Sequence, residues 1–500
     1  MYLRNTCRII FQYRYHTVLL LLFSTVIMVY YNYSTLVFVQ ILLRNTATIG
    51  KNETSTSFDS STSSWSESSS VWNTWTSPLT DSQSQKNDTN SSLNAFIKTT
   101  TVWNLLKTSS GNQRVTVGPK GIPDGPRFQK VNDHDAWLFS AFFDNFNNTD
   151  LIRVFGIQPL LLNTSVFCHL LDGTSTYVIK GTKKDLFDWH RNRRRVFSYE
   201  CLLNETSRPN NVSLTFNETD TPTNSLLVLY PQALQRNFTV CYSMLYNYKN
   251  PYQLVQNVEF NRVLGAEHFF LYRESVSSAV DTVLKHYQRQ GFLTVIDWPI
   301  PVGEIHYHGQ ILSLNDCVYR NRGVSRYVVI QDTDEFIIPH HHDNWTELME
   351  VLNKEFELSN KSQSEQLGTY IVQSTFYKQS PNSSEWANIT GHFSISDEEF
   401  QMFKKFSLTV FSNLKRLKTH FVGERQKSFV RPETVLFNDI HTPDKNRPCI
   451  ANVTVSADVA VVHHLRWWTS SEDYILDTTS LTFKDRVLPL INETLLLLTL

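Results

Sequence analysis

The most informative part of this 500-residue chain is a short apolar run that ends in acidic residues, Tyr327-Val-Val-Ile-Gln-Asp-Thr-Asp-Glu-Phe-Ile-Ile-Pro339. Its first four residues are typical of a buried strand. In extended backbone, Asp332 and Asp334 would point to one side of the chain, with Thr333 and Glu335 on the other. Two carboxylates about 7 Å apart along one face can hold a hard divalent cation between themselves and a diphosphate. The stretch therefore predicts a metal–diphosphate site rather than a solvated turn.

The sequence before this stretch alternates strand-like and helix-like segments. The predicted strands are 238–244, 268–272, 293–297 and 327–330, and the predicted helices are 252–264, 277–290 and 310–321. Gly265 and Gly291 stand where helices commonly end. This alternation predicts an α/β fold with a mostly parallel sheet covered by helices on both faces. Ligands of such sheets bind beyond the carboxyl ends of the strands, where the acidic residues stand.

The segment 131–235 has a different pattern, with short strand-like runs between polar turns, and we interpret it as a small β-rich module. It contains a basic cluster, which we expect to be a solvated loop, with an acidic ligand as the alternative: Arg191, Arg193, Arg194 and Arg195. Cys168 and Cys201 both flank strand-like runs of this module, so their disulfide is the preferred one. The remaining connectivity does not follow from the sequence.

The first 130 residues have the layout of a single-pass type II membrane protein. Residues 1–16 are a basic tail, residues 17–39 carry no charge, and residues 40–130 form a stem in which the stretch 51–110 contains 28 Ser or Thr. An uncharged span of 23 residues is long enough to cross a bilayer, and the arginines before it favour a cytoplasmic amino terminus. A cleaved signal peptide is the alternative, but its apolar core would be shorter. The stem is expected to be disordered.

Composition and glycosylation signals support a lumenal location. Lys plus Arg number 46 against 47 Asp plus Glu, which argues against nucleic acid as the main partner. Six cysteines without a CxxC pair argue against both a disulfide scaffold and a zinc site. Fifteen Asn-x-Ser/Thr sequons follow the apolar span, and such sequons are used only on the lumenal side. This layout is common among Golgi enzymes, so we expect a Golgi membrane protein with a lumenal catalytic domain.

A series of motifs spans nearly half of the chain: Cys241-Tyr-Ser-Met-Leu-Tyr246, Val258-Glu-Phe260, Leu264-Gly-Ala-Glu-His-Phe269, Asp316-Cys317, the acidic stretch, Lys427-Ser-Phe-Val-Arg-Pro-Glu433, Ile440-His441 and Val462-His-His-Leu-Arg466. In kind and in order, these motifs resemble glycosyltransferase family 92, a family expanded in nematodes. One departure is Leu465, where the family often has an aromatic residue.

The resemblance implies a GT-A type, Rossmann-like domain over residues 236–470, followed by a C-terminal segment 471–500. It also implies a UDP-sugar donor, first of all UDP-galactose, and an inverting transfer that forms a β-linkage. Relatives add galactose to fucose on N-glycan cores or to other galactose-containing glycans, so a glycan or glycoprotein is the expected acceptor. UDP-GlcNAc, UDP-Glc and UDP-GalNAc stay open as donors. The alternative from another class is a glycan-binding or adhesion protein without catalysis.

The same resemblance suggests which residues bind the donor and its metal. Asp332 and Asp334 would bind Mn²⁺ or another divalent cation together with a late histidine, because neutral imidazole suits this ion. His464 is the first choice for that histidine, followed by His463 and His441, and a hydrogen-bonded core histidine is the alternative. Lys427 and Arg466 are candidates to contact the diphosphate, although Lys427 could equally be a solvated surface residue.

An inverting transfer also needs a carboxylate that takes the proton of the acceptor hydroxyl. Asp439 is the first candidate for this base, and Glu424 and Glu433 are the others. The remaining histidine-rich stretches carry weaker signals. We expect His340-His341-His342 to be a polar loop and do not expect His306 and His308 to bind metal.

Overall fold

A computed structural model describes residues 127–146, 148–186, 192–204, 207–360, 365–418, 423–466 and 473–497. The predicted tail, the predicted membrane span and nearly all of the predicted stem lie outside these ranges. Within the described ranges, no helix is both long and apolar enough to cross a membrane.

The described chain begins with a module of eight strands, called here the β module (residues 127–235). Its strands are β1 (Gln129–Lys130), β2 (Trp137–Phe146), β3 (Thr149–Pro159), β4 (Val166–Asp172), β5 (Ser175–Asp185), β6 (Arg194–Leu202), β7 (Asn211–Thr215) and β8 (Leu226–Leu229). They form one sheet in the order β1-β2-β3-β6-β5-β4-β7-β8, and a further pairing of β8 with β2 closes it on itself. The disulfide preferred from the sequence, Cys168–Cys201, joins β4 to β6.

The α/β domain (residues 236–497) begins with four strands that alternate with three helices. These elements are β9 (Arg236–Leu245), α1 (Pro251–Leu264), β10 (His268–Arg273), α2 (Ser278–Gln290), β11 (Leu293–Asp297), α3 (Gln310–Arg320) and β12 (Ser325–Ile330). The strands are parallel and lie in the order β11-β10-β9-β12. A second disulfide, Cys241–Cys317, joins β9 to α3.

Local signals in the sequence explain where the first two helices begin and end. The side chains of Asn250 and Ser277 accept hydrogen bonds from backbone amides in the first turns of α1 and α2. Gly265 and Gly291 end the same helices with φ values of 115° and 85°, which a residue without a β-carbon adopts most easily.

The rest of the domain extends this sheet and builds a second one. Its elements are β13 (Glu335–Pro339), α4 (Trp345–Ser359), β14 (Gln366–Val372), β15 (Ser374–Gln379), α5 (Ser383–Phe393), α6 (Asp397–Lys405), α7 (Thr409–Ser412), β16 (Lys415–Leu417), β17 (Lys427–Val430), β18 (Val435–Asn438), β19 (Pro443–Asn446), β20 (Ile450–Val455), β21 (Ala460–His464), β22 (Tyr474–Leu476) and α8 (Lys484–Leu497). The first sheet continues from β12 through β17, β14 and β20, and only β17 runs antiparallel to its neighbours. The second sheet has the order β13-β21-β15-β16-β22.

The acidic residues lie where the chain passes from one sheet to the other. Strand β12 ends at Ile330 in the first sheet, and β13 begins at Glu335 in the second, where it pairs with β21. Between them the chain turns, and the Glu335 amide donates to the Asp332 carbonyl over 3.1 Å. The prediction of extended geometry through Asp334 is therefore wrong, because β13 leaves the first sheet to pair with a different strand.

The C-terminal segment packs onto the domain. Helix α8 lies against α1, and the Thr494 hydroxyl donates to the buried Glu259 carboxylate over 3.2 Å. The Lys484 ammonium at the start of α8 is also buried and lies 3.1 Å from Glu399.

Candidate active site

A cavity of about 1110 Å³ lies beside the carboxyl ends of β9 and β12. Its wall comes from the end of β9, the acidic turn, the segment before α3, the loop before β17, the residues after β18 and the end of β21. The cavity brings together most of the residues predicted from the sequence: Asp332, Asp334, Glu424, Asp439, His441, His464 and Arg466. Neither Lys427 nor Glu433 is part of the wall.

The two aspartates of the acidic turn face different partners. Asp332 accepts a hydrogen bond from the Ser243 hydroxyl over 3.1 Å, and its second carboxylate oxygen lies 3.0 Å from the Lys427 ammonium. Burial alone would raise the pKa of Asp332, but the Lys427 charge outweighs it and holds this pKa below its usual range. Both carboxylates are partly exposed, but Asp334 faces His464 rather than Lys427. The two aspartates therefore differ in their partners: Asp332 pairs with Lys427, and Asp334 lies near His464.

Lys427 lies beneath the turn, with 1% of its side chain exposed. Its ammonium contacts Asp332 and Glu335 at 3.0 Å each. These two carboxylates outweigh the effect of burial and raise the Lys427 pKa well above its usual range. The alternative of a solvated surface lysine is therefore wrong. In this arrangement, the Lys427 ammonium balances the negative charges of Asp332 and Glu335.

Strand pairing places His464 beside the acidic turn. His464 ends β21 and lies opposite Glu335 in the antiparallel ladder with β13. Its Nε2 is 3.7 Å from an Asp334 oxygen, and its Nδ1 is 3.3 Å from Glu335. Burial alone would lower the pKa of His464, but Glu335 and Asp334 outweigh it and raise this pKa.

The donor set matches the chemistry of a divalent cation such as Mn²⁺, which accepts carboxylate oxygen and imidazole nitrogen. The nitrogen of His464 that faces Asp334 is Nε2, while Nδ1 faces Glu335. The Asp334 oxygen and the His464 Nε2 are 3.7 Å apart, so one ion could bind to both. Asp332 instead contacts Lys427. Binding of all three groups to one ion would therefore require Asp332 to exchange part of its contact with Lys427 for the metal.

The second-choice histidine lies on the wrong side of its strand. Side chains alternate along β21, so His463 points away from His464. Its ring stacks on Tyr377 with centroids 3.9 Å apart, and its Nε2 is 3.0 Å from the Tyr377 hydroxyl. Together with His340 and Asp477 it forms a separate buried polar cluster. His463 is therefore excluded as a ligand beside the acidic turn.

His441 lies on the cavity wall. Its Nδ1 lies 3.2 Å from the Gln426 carbonyl. Burial and the nearby Lys427 charge lower the pKa of His441 to about 4, so its ring stays neutral at physiological pH. His441 can therefore act as a neutral hydrogen-bonding group in the cavity.

The three candidate bases have different positions. Asp439 and Glu424 line the cavity, and Asp439 follows β18 directly. Glu433 lies at the opposite end of β17 from Lys427, where its carboxylate accepts the Gly323 amide over 2.7 Å. Glu433 is therefore excluded as a base at this cavity, because the intervening strand carries it away from the acidic turn.

Some residues of the cavity were missed in the sequence. Glu335 is buried between Lys427 and His464, and it also accepts the Asp332 amide over 2.9 Å. Burial raises the pKa of Glu335 more than Lys427 lowers it. Ser243, at the end of β9, and Arg425, two residues before Lys427, also line the cavity. The signals available in the sequence were the place of Glu335 within the acidic stretch and that of Ser243 near the end of a predicted strand.

Histidines of the two histidine-rich stretches, 306–308 and 340–342, contact neighbouring parts of the fold. His340 donates its backbone amide to the Val459 carbonyl over 2.9 Å at the end of β13. His308 pairs with Glu274 at 3.0 Å. His306 lies on the cavity wall, within the segment before α3.

Comparison with known proteins supports the family resemblance that the sequence motifs indicated. The sequence profile of glycosyltransferase family 92 matches residues 236–495, more than half of the chain. The chain is 25% identical over 232 residues to beta-1,4-galactosyltransferase galt-1 of Caenorhabditis elegans, a match that covers 43% of this chain and 53% of that protein. It is 26% identical over 128 residues to the glycosyltransferase family 92 protein F13G3.3 of the same organism, covering 23% and 25% respectively.

A plant protein shows similarity of the same kind. Galactan beta-1,4-galactosyltransferase GALS2 of Arabidopsis thaliana is 30% identical over 129 residues, which is 24% of each chain. The chain therefore matches about half the length of the first of these relatives and about a quarter of the other two. The match to the family profile includes every element of the cavity wall. The chain belongs to glycosyltransferase family 92.

Proposed function

We propose that this protein is a metal-dependent, inverting glycosyltransferase with a GT-A type catalytic domain, which transfers galactose from UDP-galactose to a glycan. The names of two relatives, both β-1,4-galactosyltransferases, favour galactose as the transferred sugar. The parallel strand order β11-β10-β9-β12, with a cavity at its carboxyl edge, supports a nucleotide site there. Fucose on an N-glycan core is the acceptor we would test first.

The observation that carries this proposal is the meeting of the acidic turn with His464 in one cavity. Asp332, Asp334 and His464 would hold the metal ion. When bound, Mn²⁺ neutralises charge that develops on the leaving diphosphate. Glu335 and Lys427 hold the turn from below, so the carboxylates keep a fixed place relative to the cavity.

Other residues would bind the phosphates and move the proton. Arg466 is exposed at the cavity wall, where its guanidinium can donate to phosphate oxygens. Asp439 is the proposed base and would take the proton of the acceptor hydroxyl as the new glycosidic bond forms. Glu424 is the second candidate because it lines the same cavity.

The test compares Asp334→Asn with Asp439→Asn in the purified full-length protein. Each change removes one negative charge with little change of shape. UDP binding with and without Mn²⁺ is measured by calorimetry, and galactose transfer to a fucosylated N-glycan core is followed on the same preparations. Asp334→Asn should abolish metal-dependent UDP binding and transfer. Asp439→Asn should keep UDP binding and slow transfer by roughly 10²- to 10⁴-fold, the usual effect of a positioned proton acceptor.

The possible contrary results are distinct. Wild-type binding and turnover in Asp334→Asn would refute the metal site at the acidic turn. Wild-type turnover in Asp439→Asn would exclude that residue as the base and leave Glu424. UDP binding without transfer to any glycan would favour a catalytically inactive glycan-binding protein.

A further inference from the structure

A short strap, Gly303–Gly309, forms part of the cavity wall and has an unusual backbone. Its residues His306 and Tyr307 line the cavity, and the Tyr307 side chain is 61% exposed. Glu304, Tyr307 and His308 have φ values of 55°, 37° and 53°, a left-handed conformation that costs roughly 1–2 kcal/mol for each residue other than glycine. Three such residues in one short segment require neighbours that hold them in place.

Much of this support comes from the β module. The Arg194 amide donates to the Glu304 carbonyl over 3.1 Å, and the Arg194 guanidinium donates to the Gly303 carbonyl over 3.4 Å. The same guanidinium lies 3.3 Å from the Glu304 carboxylate, which Arg193 approaches at 3.5 Å. Two members of the basic cluster, Arg193 and Arg194, therefore pair with the strap, and Arg194 is the less exposed of the two. Arg191 lies outside the described residues.

A second connection passes through a buried tryptophan. Trp298 is fully buried, and its indole donates to the His308 carbonyl over 2.9 Å. Phe128 and Phe139 of the β module pack on the indole, with ring centroids 5.1 and 4.6 Å away. The aromatic core of the β module thus fixes the end of the strap opposite to the one that Arg194 holds.

The α/β domain supports the strap from the other side. His308 pairs with Glu274 at 3.0 Å, and its ring stacks on Tyr246 with centroids 3.8 Å apart. Tyr246 follows β9 and also lines the cavity. Tyr246 and Tyr307 are 53% and 61% exposed, so their rings offer apolar surface to a bound molecule.

We propose that the β module is a positioning element of the active site: Arg194 and Trp298 hold the strap so that Tyr307 contacts the nucleotide of the donor. This inference rests on the proposed function for the identity of the ligand. Arg194 and Trp298 are positioning residues, because neither belongs to the cavity wall. The profile of the family begins at residue 236, so a protein reduced to the matched region would lose the contacts from Arg194, Phe128 and Phe139.

The test uses Arg194→Ala in the full-length protein, with Arg195→Ala as the matched control. Arg195 is the next residue of β6 and pairs with Asp185 of the β module at 3.0 Å. Amide hydrogen exchange of the strap and calorimetric UDP affinity are measured for both variants and for wild type. In the Arg194→Ala variant, the strap amides should exchange at least tenfold faster than in wild type. The variant should bind UDP about tenfold more weakly, with little change in its melting temperature. Arg195→Ala should match wild type in all three measurements.

A conservative variant separates a local effect from misfolding. Arg194→Lys keeps the charge and a side-chain donor, both of which Arg194→Ala removes, so it should restore most of the exchange protection and most of the UDP affinity. Equal strap exchange in Arg194→Ala and wild type would overturn the positioning role, whether or not UDP binds. Faster strap exchange with unchanged UDP affinity would overturn the contact of Tyr307 with the nucleotide. Absence of UDP binding in wild type, with the difference in strap exchange intact, would count against the proposed function instead.

Discussion

At the level of single residues, the acidic turn depends on one buried cation that pairs with two of its carboxylates. Asp332 and Glu335 share one buried ammonium, that of Lys427. Burying unpaired charge costs much more than burying a paired one, so the position of Lys427 makes the acidic turn possible. The divalent cation proposed at Asp332, Asp334 and His464 would add further positive charge to the acidic turn. Lys427 is therefore expected to stabilise the fold whether or not a reaction takes place in the cavity.

This view of Lys427 leads to a stability prediction. Lys427→Met removes the charge, keeps most of the length of the side chain, and takes the ammonium away from the buried Glu335 and the partly exposed Asp332. The free energy of unfolding should fall by about 3–5 kcal/mol in urea titrations without metal. Lys285→Met is the control, because Lys285 forms an exposed i,i+4 pair with Asp281 and should change stability by less than about 1 kcal/mol. Equal effects of the two changes would mean that the buried cluster needs no compensating charge.

The residue types of the site could be predicted from the sequence, but their mutual contacts could not. Asp332 and Asp334 stood out because they follow a predicted strand. The choice between His463 and His464 depends on the register of β21 against β13, which sequence alone does not provide. Glu433 was a candidate base from its residue type and its place in the motif that begins at Lys427. Strand β17 carries it to the far end of the sheet, and only the paired structure reveals this.

At the level of elements, the first two helices of the α/β domain were predictable because each carries its own start and stop signals. Ser277 begins α2 and Gly291 ends it, both at the positions expected from the sequence. The acidic turn was not predictable in the same way. An apolar run before and after it, 327–330 and 336–338, suggested one continuous strand. The two runs instead belong to different sheets, because β13 finds its partner in β21, more than a hundred residues later.

The end of α2 allows a matched pair of substitutions. Gly291 has φ 85°, and a β-carbon there would meet no atom within 4 Å, so the cost of Gly291→Ala is backbone strain alone. The free energy of unfolding should fall by about 1–2 kcal/mol. Gly391 lies inside α5 with equally open space, so Gly391→Ala should raise stability by up to about 1 kcal/mol through helix propensity. Urea titrations with the same sign for both changes would contradict the assignment of Gly291 as the helix end.

At the level of the whole molecule, the β module and the α/β domain share a buried network of charges. Asp144 of β2 lies 3.1 Å from Arg153 of β3 and 2.9 Å from Arg322, which follows α3, and it also contacts Arg447. Burial opposes the charge of Asp144, but the arginines, Arg322 foremost, hold its pKa well below the usual range. The sequence indicated two modules but not this contact, because its members are spread over three hundred residues.

The predicted glycosylation sites can be located on the surface of the described part of the protein. Every sequon asparagine within the described ranges is exposed or half-exposed: Asn163, Asn204, Asn211, Asn217, Asn237, Asn344, Asn360, Asn382, Asn388, Asn452 and Asn492. A buried sequon could not carry a glycan without unfolding the chain around it. The described part of the protein can therefore accept glycans over both the β module and the α/β domain.

We predict that residues 40–500 lie in the lumen, held by the uncharged span 17–39. Sealed microsomes that contain the protein should protect nearly all of its mass from added protease, and detergent should remove this protection. Glycosidase treatment after lysis should lower the apparent mass, because sequons are modified only on the lumenal side. Arginines before the span favour this orientation over the reverse one. Digestion of the large domain in intact vesicles would place the cavity in the cytoplasm and refute the predicted topology. Because the test reads only which side of the membrane is exposed, its result is independent of whether the cavity binds UDP.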